Sequence, residues 1–150
     1  MSATTHAKID SPAASLVNGL NDDLSREFQA IVRYTQFAAS VHGPFRPQIA
    51  ELFRAEINDE LTHVHFLADK VAALGGEPTT FVPPVETSQD VHEMLEMVMA
   101  AEREDVEIYT RRAKQAEAAG QVGLKVQLEN MVLDETRHLE EVRKILVGWQ

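Results

Sequence analysis

The pentad Asp-Glu-x-x-His occurs twice in this chain, at residues 59–63 and 134–138, which lie 75 residues apart. Shifting the sequence by the same 75 residues aligns further pairs of chemically distinctive residues, namely Glu27 with Glu102 and Tyr34 with Tyr109. One half of the chain therefore repeats the other. A repeat of this kind predicts two similar structural units that pack around a pseudo-two-fold axis.

Each half is expected to form a pair of long helices, because apolar residues recur at helical spacing along nearly the whole chain. The predicted helices cover residues 12–42, 46–74, 89–119 and 121–148. Ser11 followed by Pro12 is typical of a helix start, and either Ser88 or Asp90 is expected to cap the third helix. Glycine and proline interrupt the pattern between the helices. Residues 1–10 are predicted to be a disordered tail, and residues 11–150 a single domain.

The lengths of the connections indicate how the helices are arranged. The first and third breaks are short, so each half should be an antiparallel hairpin. Residues 75–89 are rich in Gly and Pro, cannot be helical throughout, and would span about 50 Å if extended. That is enough to return along the whole bundle. We therefore predict an all-α fold, an antiparallel four-helix bundle with one long crossover between its second and third helices.

The spacing also predicts the height of the acidic residues within this bundle. The first helix break lies midway between Glu27 and Glu60, and the third lies midway between Glu102 and Glu135. In an antiparallel hairpin the two members of each pair are therefore level with one another. Because residues three apart share a helix face, each pentad directs its Glu and its His the same way. Four carboxylates and two imidazoles should then meet at mid-bundle.

Four buried carboxylates cannot remain unpaired, because each would cost several kcal/mol. Two divalent cations would balance their charge, and a set of Glu oxygens with one imidazole per metal suits Fe(II), Mn(II) or Zn(II). The alternative interpretation is that these residues form salt bridges on solvated helix surfaces.

Composition excludes several other classes of protein. The chain has no cysteine, which rules out disulfides and thiolate metal sites. Its net charge of −10 and its lack of basic runs argue against a nucleic-acid partner. No apolar segment is long enough to cross a membrane. The first ten residues do not look like a signal peptide, so a cytoplasmic location is expected.

The motifs resemble those of bacterioferritin and the wider ferritin-like di-iron family, over residues 16–148. The stretches that carry the likeness are LVNGLNDDLSREFQAIVRY, AEINDELTHVHFLADKVAALGGEP, DVHEMLEMVMAAERED and VLDETRHLEEV. The resemblance implies two iron ions per chain and a ferroxidase that oxidises Fe(II) with O2 or H2O2 for iron storage or detoxification. It implies that the iron ligands are Glu27, Glu60, His63, Glu102, Glu135 and His138. Glu60 and Glu135 would bridge the two metals.

Four further residues are assigned roles around the metals. Tyr34 matches a tyrosine that lies near the family's di-iron centre, where it can donate an electron or a hydrogen bond, and Tyr109 occupies the equivalent position in the second half. A buried core tyrosine is the alternative. Asp59 and Asp134 are expected to hydrogen-bond the ligand imidazoles across the repeat, or else to be ordinary surface aspartates.

The sequence also departs from the bacterioferritin pattern. Leu61 stands where that family has its haem-binding Met, so no haem is expected. Rubrerythrin-like proteins share the bundle and can carry an extra carboxylate one turn after the ligand of the third helix. Asp105 could fill that place, and the alternative is a solvent-facing acid on an acid-rich helix. The alternative function is therefore a rubrerythrin-like peroxidase or oxidase that stores no iron, and a third reading is a non-enzymatic metal-stabilised bundle. In each case the family resemblance implies a homo-oligomer, either a dimer or a cage.

Overall fold

A computed structural model describes residues 11–149 of the chain, which form four long α-helices and, within that range, no β-strand. The predicted tail at residues 1–10 lies outside the described residues. The helices are α1 (Pro12–Ser40), α2 (Arg46–Ala73), α3 (Val91–Ala118) and α4 (Val122–Val147). None of these described helices contains a stretch apolar enough to cross a lipid bilayer. The prediction of an all-α four-helix bundle is confirmed.

Polar side chains begin two of the helices. The Ser11 hydroxyl accepts a hydrogen bond from the Ala14 amide at 3.1 Å, and Pro12 occupies the first helical position. At the start of α3, Asp90 is the cap rather than Ser88, because its carboxylate accepts from the Glu93 amide at 2.8 Å. Both residues satisfy an amide that has no partner within the helix.

Glycines in the left-handed conformation end α2 and α3. Gly75 has φ +84° and Gly120 has φ +74°, values that side chains with a Cβ rarely adopt. At the end of α3, the Gly120 amide donates to Glu117 at 3.0 Å and the Gln121 amide donates to Ala116 at 2.8 Å. This pair of bonds is the Schellman motif, which turns the chain sharply out of the helix.

The connection between α2 and α3 runs along α1 and is fixed to it by two side chains. Asn21 donates to the Glu77 carbonyl at 2.9 Å and accepts from the Thr79 amide at 2.9 Å. Further along, Gln29 donates to the Pro84 carbonyl at 2.8 Å. The crossover therefore returns the chain toward the end of the bundle where α1 finishes, and α3 runs parallel to α2.

The core of the bundle is divided into two apolar halves. One half contains Leu20, Leu67 and Leu128, and the other contains Phe37, Phe53 and Met94. Between them lies a layer of buried charged side chains, each at most 4% exposed: Glu27, Glu60, His63, Glu102, Glu135 and His138. Folding therefore places a polar layer at the centre of the core, with apolar packing above and below it.

Candidate metal centre

All four helices contribute to the polar layer. The carboxylates of Glu27 and Glu102 come from α1 and α3, and each Glu-x-x-His pair comes from α2 or α4. Two overlapping groups of donors result, and within each group one atom per residue lies within 4.8 Å of the others. The first group consists of Glu27, Glu60, His63 and Glu135, and the second of Glu60, Glu102, Glu135 and His138. The structure thus brings together all six predicted ligands, with Glu60 and Glu135 shared by both groups.

The imidazole nitrogens nearest the backbone point into this layer. His63 Nδ1 lies 3.0 Å from Glu135 Oε1, 3.3 Å from Glu27 Oε1 and 3.4 Å from Glu60 Oε2. His138 Nδ1 lies 3.4 Å from Glu135 Oε2 and 3.7 Å from Glu102 Oε2. Donor atoms at these separations surround two positions that a cation could occupy.

Several of these inward-facing atoms have no hydrogen-bond partner although they are fully buried. They are Nδ1 of both histidines, Oε2 of Glu102 and both carboxylate oxygens of Glu135. An unpaired buried polar atom is costly, so a protein that retains five of them in one place requires something to satisfy them. Metal coordination would satisfy all of them at once.

The other nitrogen of each imidazole points outward to an aspartate of the other repeat. His63 Nε2 lies 3.2 Å from Asp134 Oδ2, and His138 Nε2 lies 3.0 Å from Asp59 Oδ2. Such a carboxylate favours the tautomer that carries its proton on Nε2. The lone pair on Nδ1 is then directed toward the centre, as a metal ligand requires.

Two tyrosines close the opposite side of the layer. Tyr34 on α1 donates a hydrogen bond to Glu102 Oε1, and Tyr109 on α3 donates one to Glu27 Oε1. Both rings are almost completely buried. Burial and the neighbouring carboxylate of Glu102 raise the pKa of Tyr34, so its hydroxyl keeps its proton and remains a donor.

The environment of the two carboxylates shared by the groups favours their neutral form. Burial raises the pKa of Glu60 well above its usual value, and the nearby charges of Glu27 and Glu135 raise it further. Burial has the same effect on the pKa of Glu135, and the adjacent carboxylate of Glu102 raises it further. Protons on these two residues would reduce the negative charge of the layer when no cation is bound.

The remaining members of the layer favour their charged forms. Burial opposes this, but the close polar contacts with Glu60 and His63 lower the pKa of Glu27 below its usual value. For His63 burial also opposes the charge, yet the surrounding carboxylates of Glu135 and Glu27 raise the pKa of the imidazole. A divalent cation would take over the charge-balancing role of these protons, so metal binding should release protons.

Sequence reasoning missed one acidic residue beside the centre. Glu56 Oε2 lies 2.8 Å from His138 Nε2, on the same side as Asp59. Glu56 precedes Glu60 by four residues and therefore shares its helix face, which is the only signal that could have identified it. The repeat gives no hint, because the equivalent position in the second half is Met131.

Asp105, the predicted extra ligand, is held in an ion pair and belongs to neither donor group. Its Oδ1 accepts from Nε and Nη2 of Arg26 at 2.9 and 2.7 Å. A second pair lies nearby, in which Arg112 donates to the buried carboxylate of Asp23 at 2.7 and 3.0 Å. Both pairs join α1 to α3.

Comparison with known proteins assigns a family to this arrangement. The family model described as a ferritin-like domain matches residues 17–150. A solved structure from Bacillus anthracis, described as one of its ferritin-like, diiron-carboxylate proteins, is 40% identical with a TM-score of 0.89. The match covers 92% of this chain and 99% of the other.

Two further relatives are more distant. The bacterioferritin of Desulfovibrio desulfuricans, whose structure contains a diiron site, is 25% identical with a TM-score of 0.81, over 91% of this chain and 80% of that one. A protein from Nostoc sp. named nutrient stress-induced DNA-binding protein is 28% identical over 134 residues, which are 82% of this chain and 72% of the relative.

Proposed function

The chain belongs to the ferritin-like domain family, and on this basis we propose that it is a ferroxidase that binds two Fe(II) ions and oxidises them to Fe(III). One observation carries the proposal. Buried carboxylate and imidazole atoms that lack hydrogen-bond partners converge on one layer of the bundle. Four carboxylates carry the charge that two divalent cations would neutralise.

The donor set fits iron. Carboxylate oxygens combined with one imidazole per metal suit Fe(II), Mn(II) and Zn(II). Because carboxylates are hard, anionic ligands, they stabilise Fe(III) more than Fe(II), which favours oxidation. Glu27 and His63 would hold one ion, Glu102 and His138 would hold the other, and Glu60 and Glu135 would bridge them.

The reaction needs only an oxidant and protons besides the iron substrate. Two Fe(II) ions supply two electrons, which with two protons reduce O2 to H2O2 or reduce H2O2 to two waters. Burial favours the protonated forms of Glu60 and Glu135 in the metal-free protein, so cation binding would release protons from them. Tyr34, hydrogen-bonded to Glu102, is the side chain best placed to supply a further electron or to orient the ligand.

We also propose that the protein works as a homo-oligomer in iron storage or detoxification. Large apolar side chains remain exposed on the α1–α2 hairpin and its crossover, including Leu61 at 44% and Phe81 at 62%. Pairing of two subunits along this face would cover them. The name of the Nostoc relative mentions DNA, but the net charge of −10 disfavours contact with a phosphate backbone, and we propose no nucleic-acid partner.

The proposal is tested by titrating Fe(II) into metal-free protein without oxygen, and then admitting air. We expect two ions to bind per chain and to be oxidised rapidly. Glu60→Ala should abolish both, whereas Glu51→Ala, an exposed glutamate on the same helix, should alter neither. Intact binding and oxidation in Glu60→Ala would refute the assignment.

The same preparations distinguish storage from the peroxidase alternative. A ferritin that stores iron should form a large assembly by native mass measurement and should take up far more than two irons per chain. A small oligomer that never exceeds about two irons per chain, and that consumes peroxide repeatedly, would favour the rubrerythrin-like function instead.

A further inference from the structure

Arg137 lies on the outer side of the centre, where it joins the two aspartates that hold the imidazoles. Its Nη2 atom is 3.4 Å from Asp134 Oδ1 and 3.7 Å from Asp59 Oδ2. The other oxygen of Asp134, Oδ2, contacts His63 Nε2. Oδ2 of Asp59 contacts both Arg137 and His138 Nε2. A continuous chain of polar contacts therefore runs from one imidazole to the other through a single guanidinium.

This arrangement breaks the symmetry of the repeat. Asp59 and Asp134 are equivalent positions, but the position equivalent to Arg137 in the first half is Thr62. One arginine therefore serves both halves, and no second arginine repeats its role among the ion pairs of the described residues. The positive charge of Arg137 therefore acts on Asp59 and Asp134 together.

On the side of the bundle formed by α2 and α4, exposed side chains lie directly outside the two buried imidazoles. We call the surface made by Glu56, Asp59, Asp134 and Arg137 the α2–α4 face. The side chains of Asp59, Asp134 and Arg137 are 47%, 36% and 61% exposed. On the α1–α3 side, the nearly inaccessible rings of Tyr34 and Tyr109 close the layer.

The α2–α4 face is acidic apart from this arginine. Glu56, Asp59 and His138 each present an atom within 4.8 Å of the others, close enough to attract a cation to the rim of the centre. A guanidinium beside these carboxylates competes with an approaching cation for them. It also repels the cation directly, because both are positive.

We propose that Arg137 is an electrostatic gate that restrains the passage of divalent cations through the α2–α4 face and keeps Asp59 and Asp134 as imidazole acceptors. This proposal rests on the proposed function only in that the buried layer must bind divalent cations. Arg137 touches no ligand and acts through the two aspartates, so it is a positioning residue. The proposal therefore adds a route by which cations reach the centre, and a residue that limits their rate of entry.

Removal of the gate should make cation uptake faster. In Arg137→Gln the face keeps its three carboxylates and loses its one positive charge, so a cation meets less repulsion. Exposed ion pairs are individually weak, so loss of the arginine should accelerate association by only about threefold. The effect should largely vanish in high salt, because the screening length falls from ~30 Å at 0.01 M to ~3 Å at 1 M.

The experiment follows the binding of Co(II) to metal-free protein by its visible absorption in a stopped-flow instrument. The variants are Arg137→Gln, Arg137→Lys and the control Arg143→Gln, an exposed arginine on the same helix. We expect about threefold faster association at low salt for Arg137→Gln alone. Lysine should restore most of the restraint, since it retains the charge. The Nε2–H signals of His63 and His138 in NMR spectra should also shift in Arg137→Gln, because their aspartate partners are released.

Three results would overturn the proposal. They are an unchanged rate in Arg137→Gln, an equal increase in Arg143→Gln, and an increase that persists in high salt. Failure of the unmodified protein to bind Co(II) at all would refute the metal centre itself. The two failures are therefore distinguishable in one set of measurements.

Discussion

The hydroxyl of Tyr34 on α1 donates a hydrogen bond to Glu102 on α3, a residue of the other half of the repeat. Tyr109 on α3 reciprocates with Glu27 on α1. The tyrosine of each hairpin therefore donates a hydrogen bond to the α1 or α3 glutamate of the other hairpin. The two hairpins are joined by these exchanged bonds at the level of the proposed centre.

The first prediction concerns Tyr34→Phe. The change removes the donor to a buried carboxylate, and hydrogen bonds to charged groups are worth about 1.5–3 kcal/mol. We expect the metal-free protein to lose stability by about that amount in urea titrations. Fe(II) oxidation should slow by up to about tenfold in stopped-flow absorbance.

Tyr109→Phe is the matched variant for this prediction. It removes an equivalent bond to Glu27, so both variants should lose similar stability. If Tyr34 also supplies an electron, only Tyr34→Phe should show a further loss of oxidation rate. Unchanged stability and unchanged oxidation in both variants would contradict the prediction.

Much of the fold could be predicted because its signals are local. Apolar spacing, the Ser11 cap and the glycines after α2 and α3 define the helix ends within about two residues. The short and long connections then determine which helices run antiparallel. Each of these signals depends only on residues adjacent in sequence, so no knowledge of tertiary packing was required.

The repeat predicted which side chains meet at mid-bundle, but it could reveal only residues present in both halves. Glu56 and Arg137 have Met131 and Thr62 as their counterparts, so the 75-residue shift passes over them. The pairing of Asp105 with Arg26 depends on how α1 faces α3. Spacing within a single helix contains no information about that relationship.

The second prediction concerns Asp134→Asn, which leaves His63 with a neutral partner. Loss of a carboxylate behind a metal-bound imidazole typically weakens binding by about 10- to 100-fold. Competition for Zn(II) with a chromophoric chelator should detect a weakened site of this magnitude. Asp59→Asn should weaken the second site in the same way, through His138.

Asp69→Asn provides the control, because Asp69 is exposed on α2. The substitution removes the same charge at a position that does not contact either imidazole. Its affinity for Zn(II) should match that of the unmodified protein. Equal weakening in Asp69→Asn would mean that net charge, rather than the imidazole contact, governs affinity.

The third prediction is that the metal-free protein becomes less stable as the pH rises. The folded protein raises the pKa of Glu60 and Glu135 above their usual 4.5, chiefly by burial. Groups with raised pKa values stabilise the fold below their unfolded pKa and lose that contribution as the pH rises toward the folded value. Asp105, whose pKa burial raises to about 7 against the opposing charge of Arg26, acts in the same direction.

Thermal unfolding from about pH 5 to about pH 8 should therefore show a falling Tm without metal. With saturating Zn(II) the fall should be absent or reversed, because binding displaces protons and strengthens as they become scarce. The double variant Glu60→Gln, Glu135→Gln removes two of the titrating groups and should flatten the metal-free profile. A metal-free Tm that rises over this range would oppose the assigned direction.

The last prediction concerns Gly19 in α1, where the missing side chain leaves room for Arg112. A Cβ at this position would lie 1.9 Å from Arg112 Nη1 and 2.3 Å from Cζ, so the guanidinium would have to move. Arg112 is the partner of Asp23, which is only 1% exposed, and a buried carboxylate that loses its partner costs about 3–5 kcal/mol. The higher helix propensity of alanine offsets about 1 kcal/mol of that cost.

We therefore expect Gly19→Ala to lower the free energy of unfolding by up to about 2–4 kcal/mol in urea titrations, the upper end corresponding to complete separation of Arg112 from Asp23. Gly123→Ala is the control, because a Cβ there would meet no atom within 4 Å and the position is also helical. That variant should be neutral or more stable by up to about 1 kcal/mol. If Gly19→Ala were as stable as Gly123→Ala, the Arg112 side chain could reach Asp23 in another conformation. The close approach of Arg112 to the α1 backbone at Gly19 would then not be required for the Arg112–Asp23 ion pair. A clear difference between the two alanine variants would instead identify the Arg112–Asp23 pair as the reason for glycine at position 19.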